Sequence, residues 1–340
     1  MIKDAIAAIV RGAVLTAAEA EAAIDEVMQG QATPAQIAGF AVALALRGET
    51  AEELAGCARA LRRHMTPVPV GREDAIDNCG TGGDGLATFN ISTTAAFVAA
   101  GAGCAVAKHG NRAASSRCGS AEVLEALGVS LDLPAQTIGR AVDEIGIGFL
   151  YAPVLHGALR HAAAPRKELG VRTVFNLLGP LANPAGVRRQ VIGVARPEHV
   201  RLVAEALREL GSRHALVLHG AGGADELTLA GRNTLCELRD GEIRDLSLDP
   251  QEFGLAPAAV AVLAGGDASE NAAITRAVLA GERGPRRDVV ALNAAAAIYV
   301  GGRAKSLREA FALAQDAIDG GRAGMRLQQL AAFGRQELVG

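Results

Sequence analysis

Apolar positions over residues 1–66 recur at helical spacing, and the same signal breaks them in three places. Thr16 is followed three residues on by Glu19, Thr33 by Gln36, and Thr50 by Glu53. Each pair forms a capping box: the hydroxyl serves one free amide at a helix start, and the side chain three residues on serves another. Pro34 takes the first helical position, where its missing N–H costs nothing, and Gly30 and Gly48 stand where helices end. The Ala- and Leu-rich runs that follow, such as IAGFAVALALRG, predict an all-helical segment. Its small side chains suit close helix contact, either inside one bundle or across a dimer interface.

A break at residues 64–74 holds two prolines, a glycine and then charges, and reads as a linker. Beyond it the period changes. Short apolar runs at 75–79, 104–107, 190–195 and 215–219 predict strands. Residues 92–102, 120–128, 134–145, 199–211, 271–280 and 306–320 predict helices, with Asp132 placed to cap the third of them. Strands alternating with helices imply a mostly parallel sheet covered on both faces. The stretch 156–189 interrupts that rhythm and is placed to rejoin the N-terminal helices. The predicted fold is α/β: a small all-helical N-terminal domain plus a larger α/β domain with a mostly parallel central sheet flanked by helices. The helical domain takes 1–66 with about 157–187, and the α/β domain takes 70–156 and 188–340.

Composition agrees with this division. The chain has 340 residues, enough for two domains, and half are apolar, mostly Ala, Val and Leu, with no Trp. The net charge of −3 has no basic stripe, which argues against nucleic acid as a partner. Five scattered cysteines without paired spacing point to reduced thiols, neither disulfides nor zinc, and to a cytoplasmic protein. No run of about 18 charge-free apolar residues predicts a membrane span.

Candidate chemistry concentrates in residues 80–120. GTGGDG (80–85) lets backbone amides approach an anion, and Asn90, Ile91, Ser92 and Thr93 open a helix whose positive dipole end favours phosphate. A dinucleotide site needs an acid about 20 residues on, but a lysine, Lys108, stands there, and Leu86-Ala87 occupies the place of the P-loop Lys-Ser/Thr. Asp84 beside a phosphate needs a cation between the two charges. Asp225-Glu226, after a glycine-rich strand exit, could supply metal ligands or be a solvated turn.

These motifs stand in one order over essentially the whole chain: GTGGDG, FNIST, KHGNRAASSRCGSAEVLEALG, FNLLGPLANPAG and GADE. The chain thereby resembles the anthranilate phosphoribosyltransferase family, of the nucleoside phosphorylase-like, class IV fold. The resemblance implies transfer of phosphoribose from phosphoribosyl pyrophosphate (PRPP) to the anthranilate amine, a step of tryptophan biosynthesis, by a homodimer using two magnesium ions per site. Catalysis would come from positioning and charge neutralisation, with no general acid or base. By the resemblance, Gly80, Gly83, Asp84, Thr88, Asn90, Ile91, Ser92 and Thr93 bind PRPP. So do Lys108, His109, Gly110, Asn111, Arg112, Ala113, Ala114, Ser115, Ser116 and Ser120. Ser92, Asp225 and Glu226 bind magnesium, and Gly80, Asn111 and Arg166 hold anthranilate, the arginine facing its carboxylate. By its residues alone, Arg166 reads as a surface side chain. The chain departs from the family pattern at His156-Gly157 and at Pro165, directly before Arg166, so another aromatic amine acceptor is the alternative. A non-catalytic nucleic-acid-binding homologue ranks last, because Asp225-Glu226 is present.

Overall fold

The computed structural model describes residues 1–113 and 117–339. Helices α1 (Ile2–Val10), α2 (Ala17–Met28), α3 (Pro34–Arg47) and α4 (Ala51–Arg63) form the N-terminal bundle. Thr16, Thr33 and Thr50 are the N-caps of α2, α3 and α4, and all three capping boxes close. The third also reaches into the core. The Glu53 side chain is fully buried, pairs with Arg47, and accepts from the Leu15 amide at 2.8 Å and the Thr50 amide at 2.9 Å. One carboxylate thus ties α3, α4 and the turn before α2 together.

The chain then builds β1 (Ile76–Gly80), α5 (Ile91–Gly101), β2 (Val106–Gly110), α6 (Ser120–Ala126), α7 (Ala135–Ile145) and β3 (Ile147–Tyr151). The helices α8 (Ala152–Leu155), α9 (Arg160–Leu169) and α10 (Val174–Leu181) follow. Next come β4 (Arg189–Gly193), α11 (His199–Glu209), β5 (His214–His219), β6 (Asn233–Arg239) and β7 (Glu242–Leu248). Helices α12 (Ala268–Leu279), α13 (Pro285–Val300), α14 (Leu307–Asp319) and α15 (Arg322–Val339) complete the described chain. The strands form one sheet in the order β3-β2-β1-β4-β5-β6-β7. Neighbours are parallel from β3 through β5, and β6 and β7 are antiparallel additions. The chain runs outward from β1 to β3 and then restarts on the other side of β1 with β4. That reversal is the switch point at which the carboxyl ends of an open sheet leave a crevice.

Side chains alternate across the sheet. Ile76, Val106, Val191 and Leu216 share a core with α5, α13 and α15, while Ile192, Val194, Ala215 and Val217 share one with α4, α10 and α11. Helix α9 packs on α2 and α3, and α10 on α3 and α4.

Several expectations are corrected. Strand β2 begins two residues later than the apolar run suggests and continues through Lys108 and His109, which are buried inside it. Asp132 does not cap α7; Pro134 holds that position, with no side-chain cap. Strands β3, β6 and β7 and helices α9, α10, α13 and α15 escaped the pattern reading.

Burial raises the Glu53 pKa, but hydrogen bonds from Arg47, Leu15 and Thr50 outweigh it, so the carboxyl titrates below its ordinary value. Its folded pKa is depressed, so its stabilisation is present above about pH 4.5 and is lost as pH falls through the folded value. Replacement by Ala strands the Arg47 charge and the Leu15 amide. Glu53→Ala is expected to lose about 2–4 kcal/mol at pH 7 by urea denaturation, with the gap to wild type narrowing below pH 4.5.

Candidate active site

Gly80 closes β1, Gly193 closes β4, and Gly220 follows β5. A Cβ on Gly193 would stand 1.6 Å from the Asp225 carbonyl, and one on Gly220 would stand 1.9 Å from that of Glu226. A Cβ on Gly80 would meet the Asp225 carboxylate at 2.4 Å. The absent side chains let residues 225–226 lie directly across the strand ends. There Asp225 accepts from the Gly82 amide at 2.7 Å, and Glu226 accepts from the Ser92 amide, in the first turn of α5, at 3.1 Å. Asp84 closes its own loop by accepting from Leu86 at 3.1 Å and lies 3.4 Å from the Asp225 amide. The glycine-rich loop, the α5 N-terminus and the acidic pair thus meet at one place.

Like charges crowd there. Burial first, then Glu226 and Asp84, pushes Asp225 well above the carboxylate range. Burial pushes Glu226 up to about 7, against the pull of Ser92 and Lys108. Two half-buried carboxylates with raised pKa values match a hard divalent cation. Among the described residues no three His, Cys, Asp or Glu side chains form a metal-holding group. Such a pair is the set that magnesium accepts when substrate phosphates supply the remaining oxygens.

Lys108 is buried, and its ammonium donates to the Asn78 carbonyl at 2.6 Å. Next to it, His109 pairs with His156 at 3.2 Å between their Nε2 atoms. His109 Nδ1 lies 3.2 Å from the Gly179 carbonyl, which can only accept. His109 therefore donates through Nδ1, which leaves its Nε2 to accept from His156, and the Ala182 carbonyl also stands near the His156 ring. Burial holds His109 near 3 and His156 near 4, so both rings are neutral.

Other predicted residues are placed as follows. Thr88 bridges Ala264 through its backbone. Asn90 donates to the Cys118 carbonyl at 3.2 Å and accepts from Asn271 at 2.9 Å. Ile91 and Thr93 are buried, and the Ile91 amide is taken by the Phe89 carbonyl. Gly110 lies against Ser120 and Phe149, and Ser120 Oγ accepts from the Asn111 amide at 3.1 Å. The Ala113 amide is held by Glu122. The Arg112 guanidinium forks onto Glu125, with two contacts of 2.8 Å, and touches the Tyr151 hydroxyl. Ala114, Ser115 and Ser116 lie outside the described residues. Arg166, on α9, is half-buried, stacks 5.6 Å from the Phe175 ring centroid, and has its pKa lowered by burial alone.

The sequence reading missed Arg172. Its Nη1 donates to the Gly82 carbonyl at 2.6 Å and its Nη2 reaches the Thr81 hydroxyl at 3.2 Å. Gly83 makes room for it, since a Cβ there would sit 1.9 Å from Nη1, and its φ of +74° suits glycine. The GVRT run around Arg172 carries no pattern that announces this long-range contact.

A helical bundle set beside a crevice at the switch point of a parallel sheet, lined by a glycine loop and paired acids, defines a glycosyl transferase. The helical bundle domain of the glycosyl transferase family matches residues 3–65, and its a/b domain matches residues 72–324. An anthranilate phosphoribosyltransferase of Moorella thermoacetica is 54% identical, covering 98% of both chains. The crystal structure of the Thermus thermophilus enzyme of that name superposes with a TM-score of 0.93 at 50% identity, covering 98% of this chain and 99% of that one. A Saccharomyces cerevisiae anthranilate phosphoribosyltransferase in complex with PRPP and Mg superposes at 0.90 with 27% identity, covering 98% of each chain. The chain belongs to the anthranilate phosphoribosyltransferase family.

The electrostatics of Glu226 can be tested without substrate. Its folded pKa lies above the ordinary 4.5, so its charge costs stability that is absent below pH 4.5, grows toward pH 7 and is complete above it. Glu226→Gln in chelator is expected to raise Tm by about 2 °C at pH 8, allowing for partial exposure, and to leave it unchanged at pH 4. A lower Tm at pH 8 would contradict the strain.

Proposed function

We propose that the crevice transfers the phosphoribosyl group of PRPP to the amine of anthranilate, releasing pyrophosphate and giving N-(5-phosphoribosyl)anthranilate. The observation that carries this reading is the meeting of the glycine loop, the α5 N-terminus and Asp225-Glu226 at the sheet's switch point. Amides of residues 80–85 and the first turn of α5 take the phosphate oxygens, and Lys108 adds a buried positive charge. Asp225, Glu226 and Ser92 hold magnesium, two ions per site, which when bound neutralises the departing diphosphate. Arg166 and Asn111 orient the acceptor, the half-buried guanidinium facing its carboxylate.

Breaking the C1′–O bond builds positive charge on the ribose and negative charge on the leaving group, so the residues' work is positioning and neutralisation. An aryl amine attacks as the neutral species and needs no strong base. The neutral His109–His156 pair fits that requirement, because neither ring adds a positive charge beside the developing cation. Helices α9 and α10 belong with α1–α4 in one helical domain. Exposed Val10, Val14 and Leu46 on that domain support a homodimer, and the reaction belongs in the cytoplasm. Pro165, buried inside α9 directly before Arg166, keeps another aromatic amine as the second reading.

Protein supplied with PRPP, Mg²⁺ and anthranilate is expected to extinguish anthranilate fluorescence with turnover. Turnover of other aromatic amines alone would select the second reading. Arg166→Ala is expected to raise KM for anthranilate about tenfold or more while leaving KM for PRPP within twofold, as lost carboxylate pairing requires. The reverse pattern would remove Arg166 from the acceptor pocket.

A further inference from the structure

Asp77 is the second residue of β1, a strand inside the sheet, and has no solvent exposure. A carboxylate in such a place costs several kcal/mol unless it is fully engaged. Its engagements are specific. One oxygen accepts from the His109 backbone amide at 3.0 Å, the other from Asn183 Nδ2 at 2.9 Å, and the Cys79 thiol approaches the latter at 3.5 Å. Asn183 is held in turn: Nδ2 also donates to the Ala107 carbonyl at 2.9 Å, and Oδ1 accepts from the Ala185 amide at 2.8 Å. The amide therefore cannot turn over without losing both bonds.

Alternation places Asp77 and Lys108 on opposite faces of the sheet. Asn78 and Lys108 share the α5 side, where Asn78 Nδ2 donates to the Ser92 carbonyl at 2.8 Å and Lys108 Nζ donates to the Asn78 carbonyl. Asp77 shares the other side with His109 and Asn183. Burial pushes Asp77 up, and the Lys108 charge is the largest influence opposing it. The carboxylate thus does two things for the end of β2. It clamps the backbone directly after Lys108, and it balances the ammonium through the thickness of the sheet. Among the described residues, the hydrogen bond of that ammonium goes to a neutral carbonyl, so an arriving anion displaces no hydrogen-bonded carboxylate.

We propose that Asp77 is a positioning residue for PRPP: it fixes the Lys108–His109 segment from behind the sheet and, through Asn183, ties it to the loop that follows α10. The inference rests on the reading of the crevice as a PRPP site. Asp77 touches no substrate and acts through Lys108. Replacement by Asn puts an NH₂ group against either the His109 amide or the Asn183 amide, since both partners donate. It also removes the balancing charge.

The test is calorimetric binding of PRPP with Mg²⁺ to wild type, Asp77→Asn, Lys108→Met and the double variant, with steady-state kinetics alongside. Asp77→Asn is expected to weaken PRPP binding about tenfold, the loss of one hydrogen bond to a charged group, with KM for the acceptor within twofold. On the Lys108→Met background the same substitution is expected to add less than twofold. Unchanged PRPP affinity overturns the proposal. So does an equal rise in both KM values, or full additivity with Lys108→Met, since a purely structural strand residue produces those results. If Asp77→Asn does not fold, Asn183→Ala removes the clamp's other end; a PRPP-selective loss of severalfold supports the proposal and unchanged affinity overturns it. Wild type that binds PRPP without consuming anthranilate fails only the acceptor assignment and leaves this test intact. Wild type that binds no PRPP overturns both.

Discussion

The site depends on one close approach: the backbone of residues 225–226 crossing the ends of β1, β4 and β5 with no Cβ between them. Gly80, Gly193 and Gly220 make that crossing possible. The crossing puts two carboxylates against the Gly82 amide and the first turn of α5. The α5 dipole and the loop amides then stand beside negative charge, and the crevice holds carboxylates that burial and crowding strain. Its strain is relieved by a cation and its amides by phosphate oxygens. A divalent cation and substrate phosphates thus suit the same crevice together.

The rest of the architecture keeps that arrangement rigid. The apolar face of α5 and the core side of α13 are almost wholly Ala, Val, Ile and Leu, and a Cβ on Gly101 would press 2.8 Å from the backbone of α15. Such close packing gives α5 little freedom to shift its N-terminus relative to Glu226. On the other face, α11 sits on α4, so the helical bundle shares a core with the sheet. Arg172 carries this connection to the loop itself through Thr81 and Gly82.

Legibility in the sequence followed the range of the interaction. The capping boxes at Thr16, Thr33 and Thr50 are three-residue events and were read to the residue. The glycine loop and the Asp225-Glu226 pair were visible because each is contiguous. Strand β2 was misplaced because Lys108 and His109 look like loop residues. Only Asn78, Asp77, Gly179 and His156, far away in sequence, show why they can be buried. The β6–β7 hairpin carried a readable signal in Asp240-Gly241, both at positive φ between paired strands, but its polar edge strand hid the alternation. Arg172, Asn183 and Asn271 had no local signature, since each acts on a segment many residues away.

Histidines at the acceptor side sharpen the chemical argument. A cationic imidazole would suit a phosphate, and the position of His109 directly after Lys108 invites that role. The structure favours the neutral form: burial lowers both rings, and the chain from Gly179 through His109 to His156 needs no second proton on either. The buried positive charge of Lys108 thus lies on the α5 side of β2, and the two neutral rings lie on the other. Keeping the cation and the neutral rings on opposite faces of one strand lets β2 offer a charge to an anion without a second charge repelling it from behind.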